Sequence, residues 1–264
     1  MGSGTRRPVD YAGTNNLAAM FFEQAERIGE APLLWSKRDG WYQPLSGREV
    51  AAAVRALARG LTAVGVEAGD RVLLVSENRP EWLIADIAIL TVGAITVPGY
   101  TTNTVADHLH LLNDATPKVA IASVRPLASR LLQAAGRAEV PPLVVAIDSG
   151  GPDGSLPWSE LLARGAALDS PPAPCPGGRE DTACIIYTSG TGGLPKGVRL
   201  SHGNILHNCR GAYDVLSEFG LSDEVFLSFL PLSHSYEHTA GQFFPLSIGA
   251  EIYYAEGIDR LVTN

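Results

Sequence analysis

Short apolar runs alternate with segments of helical periodicity between residues 71 and 147, and this alternation constrains the fold more than any other feature. Strands that alternate with helices pair in parallel, and a parallel sheet is covered by helices on both of its faces. The pattern therefore predicts an α/β fold with a mainly parallel sheet and helices on both faces. The predicted strands are 71–75, 94–97, 118–122 and 143–147, and the predicted helices are 80–92, 106–113 and 127–138.

Further elements are predicted on either side of this region. Ser46 and Glu49 have the spacing of a capping box at the start of a helix that ends near residue 64. Asn78 is expected to cap the helix that begins at residue 80. The other predicted helices are 16–28, 159–167, 201–215 and 236–246, and the other predicted strands are 33–35, 40–42, 184–187, 225–230 and 251–254.

Composition and charge exclude several classes of protein. The 264 residues are 45% hydrophobic and carry a net charge of -8, which argues against a nucleic-acid partner because a phosphate backbone needs concentrated Lys and Arg. The longest apolar run, 83–97, contains Asp86 and Gly93 and is too short and too interrupted for a membrane helix. Three cysteines without regular spacing and a start without an apolar signal core predict a reduced, cytoplasmic protein.

The segment 185–198 combines an apolar strand pattern with hydroxyl side chains, glycines and a lysine. Glycines let backbone N–H groups approach an anion, hydroxyl groups add donors, and a lysine adds a positive charge. These residue types in this order predict a phosphate-binding loop. The candidate ligand-binding residues are Thr188, Ser189, Gly190, Thr191, Gly192, Gly193 and Lys196.

Two alternatives exist for this loop. The P-loop of NTPases does not fit, because Pro195 precedes Lys196 where that motif has glycine, and Gly197 follows where it has Ser or Thr. A glycine-rich turn without a ligand would not call for this many hydroxyl groups together with a lysine.

A second cluster of polar side chains follows the strand at 225–230. His234, Glu237 and His238 have the spacing H-x-x-E-H, which on a helix is the zinc motif of one class of peptidase. They also fit hydrogen-bonded residues at a helix start, without a ligand. His108 and His110 are two positions apart on a predicted helix and therefore make a poor metal pair. No metal site is assigned from the sequence.

The glycine-rich segment resembles the phosphate loop of the adenylate-forming superfamily, which contains acyl-CoA synthetases, luciferases and peptide-synthetase adenylation domains. The family pattern reads Y-T-S-G-T-T-G-x-P-K-G, and Gly192 stands here where the second threonine of that T-T pair is usual. The departure removes one hydroxyl group that the family pattern offers to a phosphate. The form L-P-L-S-H-x-x-E around His234 is most similar to long-chain acyl-CoA synthetases, which makes this chain resemble their N-terminal portion.

The resemblance implies an AMP-forming ligase that joins a fatty acid to coenzyme A, with ATP and Mg²⁺ as further requirements. His234 would lie between the α-phosphate and the acyl substrate as a catalytic positioner, and His238 would contact the substrate. The alternative function from another class is a non-catalytic module that binds a nucleotide or phosphate.

The resemblance also implies an organisation into lobes. Residues 66–209 would form a first α/β lobe that carries the phosphate loop, and residues 1–65 and 210–264 would form part of a second, incomplete α/β lobe. Most of the CoA and magnesium sites would lie outside this chain, so the 264-residue polypeptide is expected to be inactive by itself. Contact with a membrane surface and self-association through the incomplete lobe are compatible with this organisation.

Overall fold

The computed structural model describes residues 7–168, 176–188 and 193–257. Its strands are β1 Pro32–Arg38, β2 Trp41–Ser46, β3 Arg71–Val75, β4 Ile95–Pro98, β5 Val119–Ala122, β6 Leu143–Ala146, β7 Leu156–Pro157, β8 Thr182–Thr188, β9 Lys196–Ser201, β10 Val225–Ser228 and β11 Glu251–Tyr254. Its helices are α1 Leu17–Ile28, α2 Gly47–Ala63, α3 Pro80–Thr91, α4 Val105–Ala115, α5 Arg125–Ala135, α6 Trp158–Ala166, α7 His202–Leu216, the single turn α8 Ser235–Glu237, and α9 Phe244–Ile248.

The larger sheet has seven strands in the order β7-β6-β5-β3-β4-β8-β9. Every pair in it is parallel except β8 and β9, which are antiparallel. The predicted mainly parallel sheet is therefore confirmed. The crossover helices hold the carboxyl ends of the parallel strands along one edge, where open α/β sheets bind ligands.

The two faces of this sheet belong to two separate hydrophobic clusters. Val72 and Leu74 point into the cluster that contains α1, α2 and α3, whereas Leu73 and Val75 point into the cluster that contains α4 and α5. Because side chains alternate along a strand, β3 contributes to both clusters and is buried on both sides. Helices therefore cover both faces of this sheet, as the sequence predicts.

The smaller sheet has four strands in the order β10-β11-β1-β2. β1 pairs in parallel with β11 and antiparallel with β2, so strands from before and after the larger sheet meet in one sheet. The division of the chain into lobes at residues 66 and 209 stays a prediction. Within the described residues, no helix has both the length and the apolar character needed to cross a membrane.

Two local predictions have different outcomes. Ser46 and Glu49 form the capping box at the start of α2, as expected. The helix expected at 236–246 is present, because residues 235–248 are helical without a break, but it is not a regular α-helix: it consists of the turn α8, a π-helical segment His238–Phe243 and α9. Pro245 lies in the first turn of α9, where its missing backbone N–H is tolerated.

Helices α2 and α6 cross at a pair of glycines. A Cβ built on Gly165 would lie 2.4 Å from the backbone nitrogen of Gly60, so both helices would have to move apart. Replacing Gly165 with alanine is expected to lower the free energy of unfolding by about 1–3 kcal/mol through this overpacking. Urea denaturation measures the change.

Gly211→Ala in α7 is the matched control, because nothing lies within 4 Å of a Cβ at that position. An alanine inside a helix is favoured over glycine, so this variant is expected to be more stable by about 0.5–1 kcal/mol. Equal effects from the two variants would contradict the close crossing of α2 and α6.

Candidate active site

The phosphate-loop candidate connects two antiparallel strands rather than a strand and a helix. β8 ends at Thr188, β9 begins at Lys196, and these two residues are cross-strand partners. The helix predicted after the loop, α7, begins only at the end of β9. β9 was not predicted, because its residues are mostly exposed and show no apolar alternation. The loop is therefore the tip of a hairpin at the carboxyl edge of the sheet.

The described part of this loop offers its polar groups to solvent. Thr188, Gly193 and Lys196 are exposed, so the hydroxyl and the ammonium group at the base of the hairpin are accessible. Four of the predicted ligand-binding residues, Ser189, Gly190, Thr191 and Gly192, lie outside the described residues. The structure thus provides a cation and a hydroxyl group at the entrance of the loop, the groups that phosphate oxygens need.

His234 lies at the start of the turn α8. Its backbone has an extended conformation, and its Nδ1 accepts a hydrogen bond from the backbone N–H of Tyr236 at 3.2 Å. The backbone N–H of His234 in turn donates to the carbonyl of Pro231 at 2.9 Å. The imidazole is exposed, so Nε2 is accessible for a further contact. With Nδ1 as the acceptor, the proton of a neutral ring is on Nε2.

A single cavity brings His234 together with the base of the phosphate loop. It has a volume of about 440 Å³, and Thr188, Pro195 and His234 all contribute to its wall. Tyr100 and Asp107 line another part of the same cavity. Residues of this wall lie at or after the ends of strands β4, β8 and β10. The cavity is therefore located at the carboxyl ends of these strands.

Asn78 holds the segment that precedes His234. Its side-chain amide donates to the hydroxyl of Ser228 at 3.0 Å and to the carbonyl of Leu230 at 2.7 Å, and its oxygen accepts from the backbone N–H of Leu232 at 3.1 Å. The predicted role of Asn78 as a helix cap is wrong, because α3 begins after Arg79 and shows no side-chain cap. These bonds also explain why β10 ends at Ser228 rather than near residue 230.

The three residues of the H-x-x-E-H pattern have separate partners. Glu237 accepts from the hydroxyl of Ser228 at 2.7 Å, and Nε2 of His238 lies 2.9 Å from Oδ2 of Asp86. His238 is buried whereas His234 is exposed. The described residues therefore do not bring these side chains around one point, and the zinc-peptidase alternative has no geometric support.

Burial and a carboxylate act in opposite directions on His238. Burial alone lowers the pKa of His238, but the charge of Asp86 and its hydrogen bond raise this pKa by more, so the net shift is upward. Burial raises the pKa of Glu237, and hydrogen bonds from Ser228 and the Phe229 backbone offset part of this increase. His238 is thus stabilised as a cation inside the core, away from the cavity wall that contains His234.

Two residues of α4 contact the ends of the phosphate loop, and the sequence did not assign them to the site. His110 makes a hydrogen bond to the carbonyl of Pro195, and Asp114 accepts one from the hydroxyl of Tyr187. The predicted helix ended at residue 113, so the spacing of four residues that places both side chains on one face of α4 was not available from the sequence. The sequence also could not show which surface the helix faces.

The architecture defines an α/β protein with a ligand cavity beyond the carboxyl ends of its parallel strands. The sequence profile of the family described as AMP-binding enzyme matches residues 21–263. The chain belongs to this family.

Individual relatives agree with this assignment. The long-chain-fatty-acid–CoA ligase FadD15 of Mycobacterium tuberculosis is 36% identical over 236 residues, which is 86% of this chain and 38% of that protein. Long-chain-fatty-acid–CoA ligase 6 of Mus musculus is 29% identical over 289 residues, covering 100% of this chain and 41% of that protein. The chain thus spans about two fifths of the length of these curated relatives.

Solved structures show the same fold. The structure of apo MatB from Rhodopseudomonas palustris superposes with a TM-score of 0.78 at 25% identity, covering 95% of this chain and 47% of that one. A red-emitting luciferase from Phrixothrix hirtus gives a TM-score of 0.80 at 22% identity, covering 96% of this chain and 48% of that one. The latter similarity concerns the fold alone.

Proposed function

We propose that this chain is the phosphate-binding front part of an ATP-dependent ligase that joins a long-chain fatty acid to coenzyme A. The cavity shared by Thr188, Pro195 and His234 carries the proposal, because it places the hydroxyl group of Thr188 and the imidazole of His234 around one space. Membership of the AMP-binding enzyme family and the similarity to long-chain-fatty-acid–CoA ligases support it.

The reaction consists of two transfers. The carboxylate of the fatty acid attacks the α-phosphorus of ATP, which forms an acyl-adenylate and releases pyrophosphate. The thiol of coenzyme A then attacks the acyl carbon, which forms the thioester and releases AMP. Negative charge grows on the departing pyrophosphate during the first step, so fixed donors and cations accelerate it.

Each candidate residue has a role that fits its position. Thr188 and Lys196, with the loop between them, would hold the β- and γ-phosphates. His234, whose accessible Nε2 carries a proton, would donate a hydrogen bond to the α-phosphate or the carboxylate and so position them. His234 would therefore position the reacting groups and would not transfer a proton. Preorganised donors of this kind reduce the reorganisation needed at the moment of reaction.

Magnesium would neutralise part of the phosphate charge. The carboxylate of Asp107 is the acidic group of the described cavity wall, but it accepts hydrogen bonds from the backbone N–H and hydroxyl of Thr104. We therefore assign no residue of this chain to magnesium. No residue of this chain is assigned to coenzyme A either. In the relatives, magnesium and coenzyme A are both expected to bind in the part of the protein that this chain does not match.

Several finer assignments complete the proposal. Contact between His238 and the acyl chain stays a prediction, and so do a cytoplasmic location, contact with a membrane surface and self-association. The 264-residue polypeptide is proposed to hold phosphates without completing the reaction. Release of pyrophosphate by the purified polypeptide, in the presence of ATP and a fatty acid, would contradict that last point.

Lys196→Ala tests the phosphate role directly. The variant is expected to bind ATP about 10- to 100-fold more weakly, because a hydrogen bond to a charged group is worth roughly 1.5–3 kcal/mol. Isothermal titration calorimetry on the 264-residue chain gives the affinity.

Lys118→Ala is the matched control for this measurement. Lys118 lies at the amino end of β5, whereas the phosphate loop follows the carboxyl end of β8, and it pairs with Asp70 at 3.1 Å. Its removal should therefore leave ATP binding unchanged. Equal affinities for wild type and Lys196→Ala would refute the phosphate role of the loop.

A further inference from the structure

Helix α4 contacts the phosphate loop at both of its ends. Nε2 of His110 donates to the carbonyl of Pro195 at 2.8 Å, directly before Lys196. The hydroxyl of Tyr187, directly before Thr188, donates to Oδ2 of Asp114 at 2.5 Å. His110 and Asp114 are four residues apart and therefore lie on one face of α4. One face of α4 thus contacts both Tyr187, which precedes the loop, and Pro195, which lies at its end.

The ring of Tyr187 links these two contacts. It meets the ring of His110 edge to face, with centroids 5.9 Å apart and an interplanar angle of 84°. It also lies against Gly197, where a Cβ would be 3.2 Å from Cζ of the tyrosine. The ring is buried, so the contacts fix its orientation rather than merely permit it.

Helix α4 is itself fastened at both termini. At its start, Thr104 and Asp107 form a capping box, and Arg130 donates to the carbonyl of Asn103 at 2.7 Å. At its end, Arg71 donates to the carbonyl of Ala115 at 2.7 Å and to that of Thr116 at 3.0 Å. A helix tied to β3 and α5 in this way is a rigid support for the loop it contacts.

We propose that His110 and Asp114 are positioning residues that fix the two described ends of the phosphate loop and thereby the placement of Thr188 and Lys196. The inference rests on the proposed function for its meaning in catalysis. The contacts themselves do not depend on it. The proposal implies that α4 holds Thr188 and Lys196 in place before any phosphate arrives, which lowers the ordering cost of binding.

Hydrogen exchange followed by mass spectrometry tests the proposal in the 264-residue protein. His110→Ala is expected to speed exchange in peptides covering residues 193–197 about fivefold, the size that loss of one neutral hydrogen bond implies. His110→Gln should restore slow exchange, because the glutamine amide can donate to the carbonyl of Pro195. His207→Ala, which removes an exposed histidine of α7, is the control and should change nothing at the loop.

A second pair of variants tests the other end of the loop. Tyr187→Phe removes the hydroxyl that donates to Asp114 and keeps the ring over Gly197, and Asp114→Ala removes the acceptor. Both should loosen the same peptides, and the double variant should loosen them no more than either single one, because they remove one bond. A merely structural role would instead raise exchange across the whole sheet and lower the melting temperature.

Calorimetry with ATP separates this inference from the proposed function. If His110→Ala leaves both exchange and ATP affinity as in the wild type, while Lys196→Ala weakens ATP binding as expected, the positioning role is overturned and the phosphate role stands. If the wild type does not bind ATP, the phosphate role fails, and the exchange data alone decide whether α4 holds the loop. Loosening by His110→Ala and Asp114→Ala, with rescue by His110→Gln, supports the proposal in either case.

Discussion

Asp86→Ala is expected to lower the free energy of unfolding by about 3–5 kcal/mol, the cost of leaving a buried charge without its partner. Asp86 and His238 are both fully buried, at 0% and 1% exposure. Oδ2 of Asp86 accepts from His238 at 2.9 Å and from Gln242 at 2.7 Å, so alanine would leave two donors unpaired. Urea denaturation followed by tryptophan fluorescence suits the measurement, because Trp82 packs against His238 with ring centroids 5.3 Å apart.

Asp86→Asn is the matched control. Asparagine keeps the volume and one acceptor oxygen and removes the charge, so its cost should be smaller than that of alanine. The double variant Asp86→Leu/His238→Leu should recover much of the loss, because a buried ion pair is often replaced by apolar residues at little cost. A loss below about 1 kcal/mol for Asp86→Ala would contradict a buried ionic pair at this position.

The same pair gives stability a specific dependence on pH. Asp86 raises the pKa of His238 from 6.5 to about 10, against the lowering effect of burial. Above pH 6.5 the unfolded chain releases this proton while the folded protein keeps it, so the stabilisation decreases as pH rises toward 10. Burial lowers the pKa of His108 and of His202 to about 4. These two groups therefore change the stability only below pH 6.5. The fall in wild-type stability between pH 7 and pH 9 should therefore shrink in Asp86→Ala.

The parallel sheet was predictable from sequence because its strands are buried on both faces. Strand β5 consists of Val119, Ala120, Ile121 and Ala122, all buried, and such a run has few alternatives in a chain of this composition. The position of the phosphate loop followed from the same logic, since a loop after a parallel strand lies at the carboxyl edge. His234 was assigned by its order and distance from the loop in a known family pattern, and its role stays a prediction.

The contacts that shape the site were not predictable, because each joins residues far apart in sequence. Asn78 contacts a segment about 150 residues away, and Asp86 meets His238 across a similar separation. Single-residue propensity treats Asn78 as a helix cap, and tertiary contacts override that preference. β9 was missed for a related reason: an exposed strand has no apolar alternation, and its pairing with β8 defines it.

Gly197→Val is the second change with a large expected effect, and its sign depends on two opposing terms. Valine favours a strand over glycine by up to about 1 kcal/mol, which would stabilise β9. However, a Cβ at this position would lie 2.7 Å from Cγ2 of Ile185 and 3.2 Å from Cζ of Tyr187. The ring of Tyr187 has little room to move, since its hydroxyl donates to Asp114 and its ring packs against His110.

Overpacking against a fixed ring costs about 1–3 kcal/mol, so the clash should outweigh the propensity and Gly197→Val should destabilise the hairpin. Displacement of Tyr187 would also shift Thr188 and Lys196, and ATP affinity should fall about tenfold through loss of a charged hydrogen bond. Val198→Thr is the control, because Val198 is 45% exposed in the same strand and threonine keeps the branched shape. If Gly197→Val matched the control in urea denaturation and ATP titration, Tyr187 would not be held by α4. The ring of Tyr187 connects the loop to His110 and Asp114. The substitution of Gly197 in β9 therefore tests whether α4 supports the loop through this ring.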